Sequence, residues 1–246
     1  MIRKFLASLF VVLVLCAVAY GQGMQPTGDA TVKHSVVAGE DCASGVAKLL
    51  CQNMEGTGYD NGETWSEYPT GDCVINEDYT TTVLRGSQSA YMATTSGDGC
   101  WLYHSFTAGS PRYAFARVRP VSLPSSYWSN PLMLFDSTPA TDLVNFNVYS
   151  DGTTAIYHGA ESASCTTLSA GTTYFMWIEY TKGTGTDGIV NMYIATTGTK
   201  PASPTCSVTS GTATADAGYL ISNSSHDAFI IDQIMVSTSQ MGDVAN

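Results

Sequence analysis

Charge is scarce in this chain, and positive charge is scarcest. Of 246 residues only 13% are charged, with 10 Lys or Arg against 21 Asp or Glu and a formal net charge of −11. So thin a basic complement excludes an electrostatic nucleic-acid binder, and so few charges exclude a disordered acidic tail or a charge-laced helical bundle. Internal repeats are missing. So are Cys-x-x-Cys pairs and histidines at ligand spacing, which argues against zinc. Gly-x-Ser-x-Gly, His-Glu-x-x-His and a P-loop are absent too. What the chain does have is apolar and aromatic material, 44% and 11% with 14 Tyr, enough for one large core. All-β domains commonly fill this length alone.

The N-terminus reads as a targeting segment. Residues 1–21 hold a short basic start (Arg3, Lys4), an apolar run from Phe5 to Val18, and small residues at Ala17, Ala19 and Gly21. That order predicts a secretory signal peptide cleaved after Ala19 or after Gly21. The run is shorter than the roughly 20 residues that cross a bilayer, and no second one follows. Lipidation at Cys16 is disfavoured by the bulky Leu15 before it. Loss of Arg3 and Lys4 leaves 8 basic residues against 21 acidic ones, a mature net charge of −13 that disfavours anionic membranes and nucleic acid. Residues 22–45 lack periodicity and read as an extended tail, leaving 46–246 as a single domain.

Cys16 leaves with the leader, and six cysteines remain: Cys42, Cys51, Cys73, Cys100, Cys165 and Cys206. An even number in an exported chain predicts disulfides, with fifteen pairings open. Proximity along the chain favours Cys42–Cys51, Cys73–Cys100 and Cys165–Cys206.

From Val46 onward the apolar period is two. Eleven runs read as strands: 48–55, 89–94, 101–107, 113–121, 132–135, 143–149, 155–158, 173–181, 189–195, 219–221 and 228–236. Asp151-Gly152 supplies the turn of one hairpin and the loop 182–188 another. Such spacing predicts an all-β, two-sheet antiparallel β-sandwich or jelly roll. Pairing Tyr180 with Val190 sets Trp177 across from Tyr193, with Phe175 and Asn191 beside them on one face. An aromatic patch edged by amides suits the C–H faces and hydroxyls of a sugar. The other reading of this face is that a loop, the tail or a second subunit covers it.

Three segments carry a resemblance: Leu49-Leu50-Cys51-Gln52-Asn53-Met54-Glu55-Gly56 with Trp65, then Leu84-Arg85-Gly86-Ser87-Gln88-Ser89, and Phe229-Ile230-Ile231-Asp232-Gln233-Ile234-Met235-Val236. Together with Leu168–Tyr174 they resemble the concanavalin A-like jelly-roll superfamily, which includes laminin-G-like domains and carbohydrate-binding modules. Thr173 stands where that family's turn has tryptophan. The resemblance implies a structural Ca²⁺ joining first and last strands through Glu55 and Asp232; the alternative is that both carboxylates hydrogen-bond to loop backbone.

Glycoside hydrolases of this superfamily carry Glu-x-Asp-x-x-Glu on one strand. This chain has no such run; Glu63 and Glu67 flank Trp65, and Glu77 and Asp78 point to opposite faces if extended. Polysaccharide lyases of the fold use Arg, Gln, His and Tyr, of which His104 with Tyr103, or His158 with Tyr157, imitates a part. His34 and His226 stand alone. The expectation is therefore a secreted, non-catalytic, lectin-like protein binding a poly- or oligosaccharide through Trp177, Tyr193, Phe175 and Asn191. The competing expectation is a cell-surface assembly protein whose partner is its own copy; a polysaccharide-degrading enzyme is the least favoured class.

Overall fold

The computed structural model describes residues 42, 45–55, 65–95, 99–138 and 140–246. The expected leader 1–21 and nearly all of the expected tail 22–45 lie outside the described residues, as does Glu63.

Among the described residues, fifteen strands form two antiparallel sheets. In chain order they are β1 (Lys48–Gln52), β2 (Ser66–Pro69), β3 (Val74–Tyr79), β4 (Ser89–Ala93), β5 (Cys100–Gly109), β6 (Arg112–Ser122), β7 (Trp128–Asp136) and β8 (Asp142–Tyr149), followed by β9 (Thr154–His158), β10 (Glu161–Ser164), β11 (Tyr174–Thr181), β12 (Gly188–Ala195), β13 (Cys206–Gly211), β14 (Ala217–Ser224) and β15 (Ala228–Ser237). The eight-stranded sheet runs β13-β12-β11-β6-β15-β4-β3, with β1 added on β15; the seven-stranded sheet runs β10-β9-β8-β7-β14-β5-β2. This is the jelly-roll β-sandwich that the period of two predicts. Among the described residues there is no helix long and apolar enough to cross a membrane.

Alternation builds the core. Along β8, Val144, Phe146 and Val148 turn inward and are almost fully buried, in one core with Met176, Ile178 and Val190 of the opposite sheet. The hairpin between β8 and β9 closes at Gly152, whose φ of 80° only glycine adopts without strain. The β11–β12 register is Tyr180↔Val190 and Trp177↔Tyr193, as the sequence pattern requires.

Strand β15 departs from simple alternation. Phe229 and Ile231 reach the inter-sheet core, and so do Ile234 and Val236, which have the opposite parity. A bulge reconciles them: the pairing with β6 shifts between Asp232 and Met235, and Gln233 takes a left-handed φ of 46°. The extra residue leaves Asp232 and Gln233 fully buried. Asp232 accepts from the Arg85 N–H, the Ser89 hydroxyl and the Gln233 N–H at 2.9, 2.9 and 2.6 Å. Gln233 Oε1 accepts from Arg117 Nε at 2.5 Å.

Three disulfides complete the frame, Cys42–Cys51, Cys73–Cys100 and Cys165–Cys206. The second joins the start of β3 to the start of β5, and the third joins the end of β10 to the start of β13. Each therefore ties one sheet to the other, at opposite sides of the sandwich. Bridges of this kind contribute about 2–4 kcal/mol each by restricting the unfolded chain.

Burial raises the Asp232 carboxyl from 3.8 to about 7, opposed by its hydrogen bonds and by Arg117. Between those values the folded protein keeps a proton that the unfolded chain releases, so this group's contribution to stability is largest at low pH and falls as pH rises through the window. Melting temperature measured from about pH 4 to about pH 8 should show that fall, and Asp232→Asn should flatten it. A fall of equal size in the variant would assign the effect to other groups.

Candidate active site

The outer face of the eight-stranded sheet, where the sequence places the ligand, is closed. Phe175, Trp177 and Tyr193 keep only 5%, 1% and 7% of their surface and form a second apolar cluster with Phe115, Met235, Met241 and Val244. A C-terminal strap, residues 238–246, lies over them. Trp177 Nε1 donates to the Gly242 carbonyl at 3.1 Å, Val244 N–H to the Gly198 carbonyl at 2.8 Å, and a second Arg117 nitrogen to the Ala245 carbonyl. Lys200 seals the edge, with its ammonium 4.3 Å from the Tyr193 ring centre and 2.7 Å from Glu179. Asn191 is held by Ser207 and Glu179. These residues are brought together as expected, but as packing; sugar contact at this face is corrected to cover by the chain's own C-terminus.

Glu55 and Asp232 do converge, on one loop. Glu55 accepts from the Ser87 N–H and hydroxyl, and Asp232 from Arg85 and Ser89. Their oxygens face hydrogen-bond donors, whereas calcium takes six to eight oxygens, so the set fits hydrogen bonding and not the expected ion. No group of three or more His, Cys, Asp or Glu among the described residues is placed to hold a metal.

The open surface is the outer face of the seven-stranded sheet. The residues of β8 that alternate with its core positions are Asn145, Asn147 and Tyr149, and register carries the pattern across the neighbours. Asn145 stands between Tyr157 of β9 and Met133 of β7; Ile221 of β14 follows, then Tyr103 of β5. One row up, Asn223 lies between Asn130 and Trp101. The asparagines, Tyr149, Tyr157, Met133 and Trp101 floor a cleft of ≈ 830 Å³, and a second hollow of ≈ 420 Å³ continues it over Tyr68, Tyr103 and Ile221, sharing Trp101 and Phe135. Tyr127 and Trp128, 71% and 47% exposed, stand at the margin.

Within the cleft the Tyr149 and Tyr157 hydroxyls are 2.9 Å apart. Their hydrogen bond, then burial, raises the pKa of Tyr157. Asn130 Nδ2 donates to Asn147 Oδ1 at 2.6 Å, and Asn145 Nδ2 to Asp142 at 2.5 Å. Asn223, 7% exposed, also lines this space, and its Oδ1 is buried without a protein partner. The arrangement offers a proton-transferring phenol pair, carboxamides for a carboxylate or hydroxyls, and flat rings for sugar faces.

The histidine pairs singled out in the sequence do not form. Tyr157 lines the cleft, whereas His158 turns into the sandwich, fully buried, 5.2 Å from the Tyr180 ring and 3.2 Å from the Thr181 carbonyl; burial lowers its pKa. His104 packs on Trp65, 5.3 Å between ring centres. What sequence reasoning missed is the Asn-x-Asn-x-Tyr alternation at 145–149, legible as one polar, aromatic-ended strand face.

No protein-family model and no curated protein matches the chain. Solved structures do. An endo-beta-1,4-glucuronan lyase from the fungus Trichoderma reesei aligns at a TM-score of 0.57 and 9% identity, over 78% of this chain and 96% of that one. The PL-14 alginate lyase from Aplysia kurodai aligns at 0.56 and 9%, over 79% and 100%. A sialidase aligns at 0.56 and 9% over 72% of this chain, which spans only 17% of the sialidase's length. At these identities the likeness shows the jelly-roll fold. It also overturns the expectation of a non-catalytic lectin-like or assembly protein. Chains that share the fold nearly end to end bear the names of polysaccharide lyases, so lack of a hydrolase strand motif gives no ground for excluding catalysis.

The two faces answer differently to truncation. Trp177→Ala, in the closed face, should lower the unfolding free energy by about 3–5 kcal/mol, whereas Trp128→Ala at the open margin should stay within about 0.5 kcal/mol. Denaturant titration of both variants checks this; equal losses would mean the strap does not bury Trp177 in solution.

Proposed function

We propose that the chain is an extracellular polysaccharide-degrading enzyme that cuts a uronate-containing glycan by β-elimination in the cleft of the seven-stranded sheet. On this reading it belongs to the catalytic branch of the concanavalin A-like jelly rolls. The observation that carries the reading is the Tyr149–Tyr157 hydroxyl pair at 2.9 Å, set among asparagines. The glucuronan and alginate lyases that share the fold support it. Three disulfides and the secretory pattern of residues 1–21 support an extracellular site of action.

β-Elimination needs a base for the proton on the ring carbon beside the carboxyl, donors that draw charge from that carboxylate, and an acid for the leaving oxygen. The amide Nδ2 groups of Asn147 and Asn223 donate to the carboxylate. Tyr149, hydrogen-bonded to the Tyr157 hydroxyl, is the base that takes the proton; the electron pair forms the ring double bond and the glycosidic carbon–oxygen bond breaks. Tyr157, whose raised pKa keeps it protonated, gives its proton to the departing oxygen. The proton on Tyr149 then passes along the 2.9 Å hydrogen bond and restores the pair. No step uses a metal.

Incubation of the purified mature chain with uronic-acid polysaccharides should produce the ultraviolet absorbance of an unsaturated uronate. Tyr157→Phe should lower kcat by about 10²-fold or more while the melting temperature holds. Reducing ends released without that absorbance, or full activity in Tyr157→Phe, would refute elimination at this pair.

A further inference from the structure

Basic residues are distributed over the sandwich in one direction only. Of the seven described lysines and arginines, Lys48, Arg112, Arg117 and Arg119 lie on strands of the eight-stranded sheet, and none lies on any strand of the seven-stranded sheet. Lys182 is paired with Asp216 at 2.9 Å and Lys200 with Glu179 at 2.7 Å. The described residues lining the cleft and its extension include no Lys, Arg or His, and their one carboxylate is Asp142.

A homopolyuronate brings one negative charge on every sugar. Docked in this cleft, it would have several carboxylates partly removed from water with no cation to meet them, against a chain of strongly negative net charge. The carboxamides can satisfy one carboxylate, because they are gathered on β7, β8 and β14 around the tyrosine pair. Beyond them the lining is aromatic. Trp128 pairs in register with Tyr149 and stands edge-on to Tyr127, ring centres 6.3 Å apart; toward the other side lie Trp101, Tyr103 and Tyr68. From β9 to β2 the sheet crosses five strand spacings, about 24 Å, room for several sugar rings. Flat rings stack on the C–H faces of uncharged sugars and return nothing for a carboxylate.

Resting on the elimination reading above, we infer that the substrate is a heteropolysaccharide in which an isolated uronate is flanked by neutral sugars: the uronate sits at the asparagine–tyrosine centre and its neighbours stack on the aromatic ends. Homopolyuronates are poor ligands of this cleft.

Affinity electrophoresis tests this with three polymers: gellan, in which each glucuronate lies among neutral sugars, polyglucuronate, and carboxyl-reduced polyglucuronate. Tyr149→Phe and Tyr157→Phe, each verified as folded by its melting curve, serve as proteins that bind without consuming the polymer. Gellan should bind at least about tenfold tighter than polyglucuronate, and its affinity should change less than about twofold between about 50 mM and about 500 mM salt. Carboxyl reduction should strengthen binding of the homopolymer, and Tyr68→Arg, which adds a cation at the aromatic end, should narrow the gap between gellan and polyglucuronate. Polyglucuronate bound as tightly as gellan, or binding lost on carboxyl reduction, overturns the inference. Wild-type elimination assays on the same polymers separate the two proposals: the expected binding order without unsaturated product sinks elimination and upholds the ligand class, whereas faster elimination of polyglucuronate does the reverse. Binding to none of the three overturns both.

Discussion

A buried guanidinium governs this architecture. Arg117, 2% exposed, lies on β6 near the middle of the eight-stranded sheet, and a charge so placed survives only with partners. It takes them from two directions: Gln233 at the β15 bulge and the Ala245 carbonyl of the strap, with its plane over the Phe175 ring at 4.6 Å. The bulge is thus joined to the closing of the outer face. One extra residue in β15 keeps two apolar runs on the core side, offers Gln233 to Arg117, and lets Arg117 hold the C-terminus across the aromatic rings. With that face sealed, the seven-stranded sheet is left to present the cleft.

Legibility in the sequence followed the physics of each position. All eleven strands expected from alternation exist, and the four that were not expected, β2, β3, β10 and β13, are the edges of the two sheets. Edge strands pack on one neighbour only and here expose much of their length, as the run Glu161-Ser162-Ala163-Ser164 shows, so they carry little apolar periodicity. The disulfide pairs followed from chain proximity because each bridge joins a described cysteine to the next one along the chain, at separations of 9, 27 and 41 residues.

The site was harder to read. Alternation says which residues share a face; it does not say whether another segment covers that face. Trp177, Phe175 and Tyr193 were the densest aromatic set in the sequence, and their cover is a segment of nine residues with no period of its own. The cleft, by contrast, draws Tyr157, Tyr149, Asn130 and Asn223 from four strands that adjoin only after folding. A search for one catalytic strand motif cannot find such a set. This is why absence of the Glu-x-Asp-x-x-Glu run spoke only to one kind of chemistry.

The two bridges between the sheets have a mechanical consequence. On the proposed function, a long glycan held across the strands of one sheet would transmit thermal tugging to that sheet alone, and the weakest response would be for the layers to slide or to gape like the covers of a book. Cys73–Cys100 and Cys165–Cys206 clamp opposite margins, so neither motion has a free side. Yielding is left to the noncovalently held C-terminus, far from the polymer's grip. In a medium of proteases and no chaperones, such a molecule would wear out from its back while its working surface kept its shape.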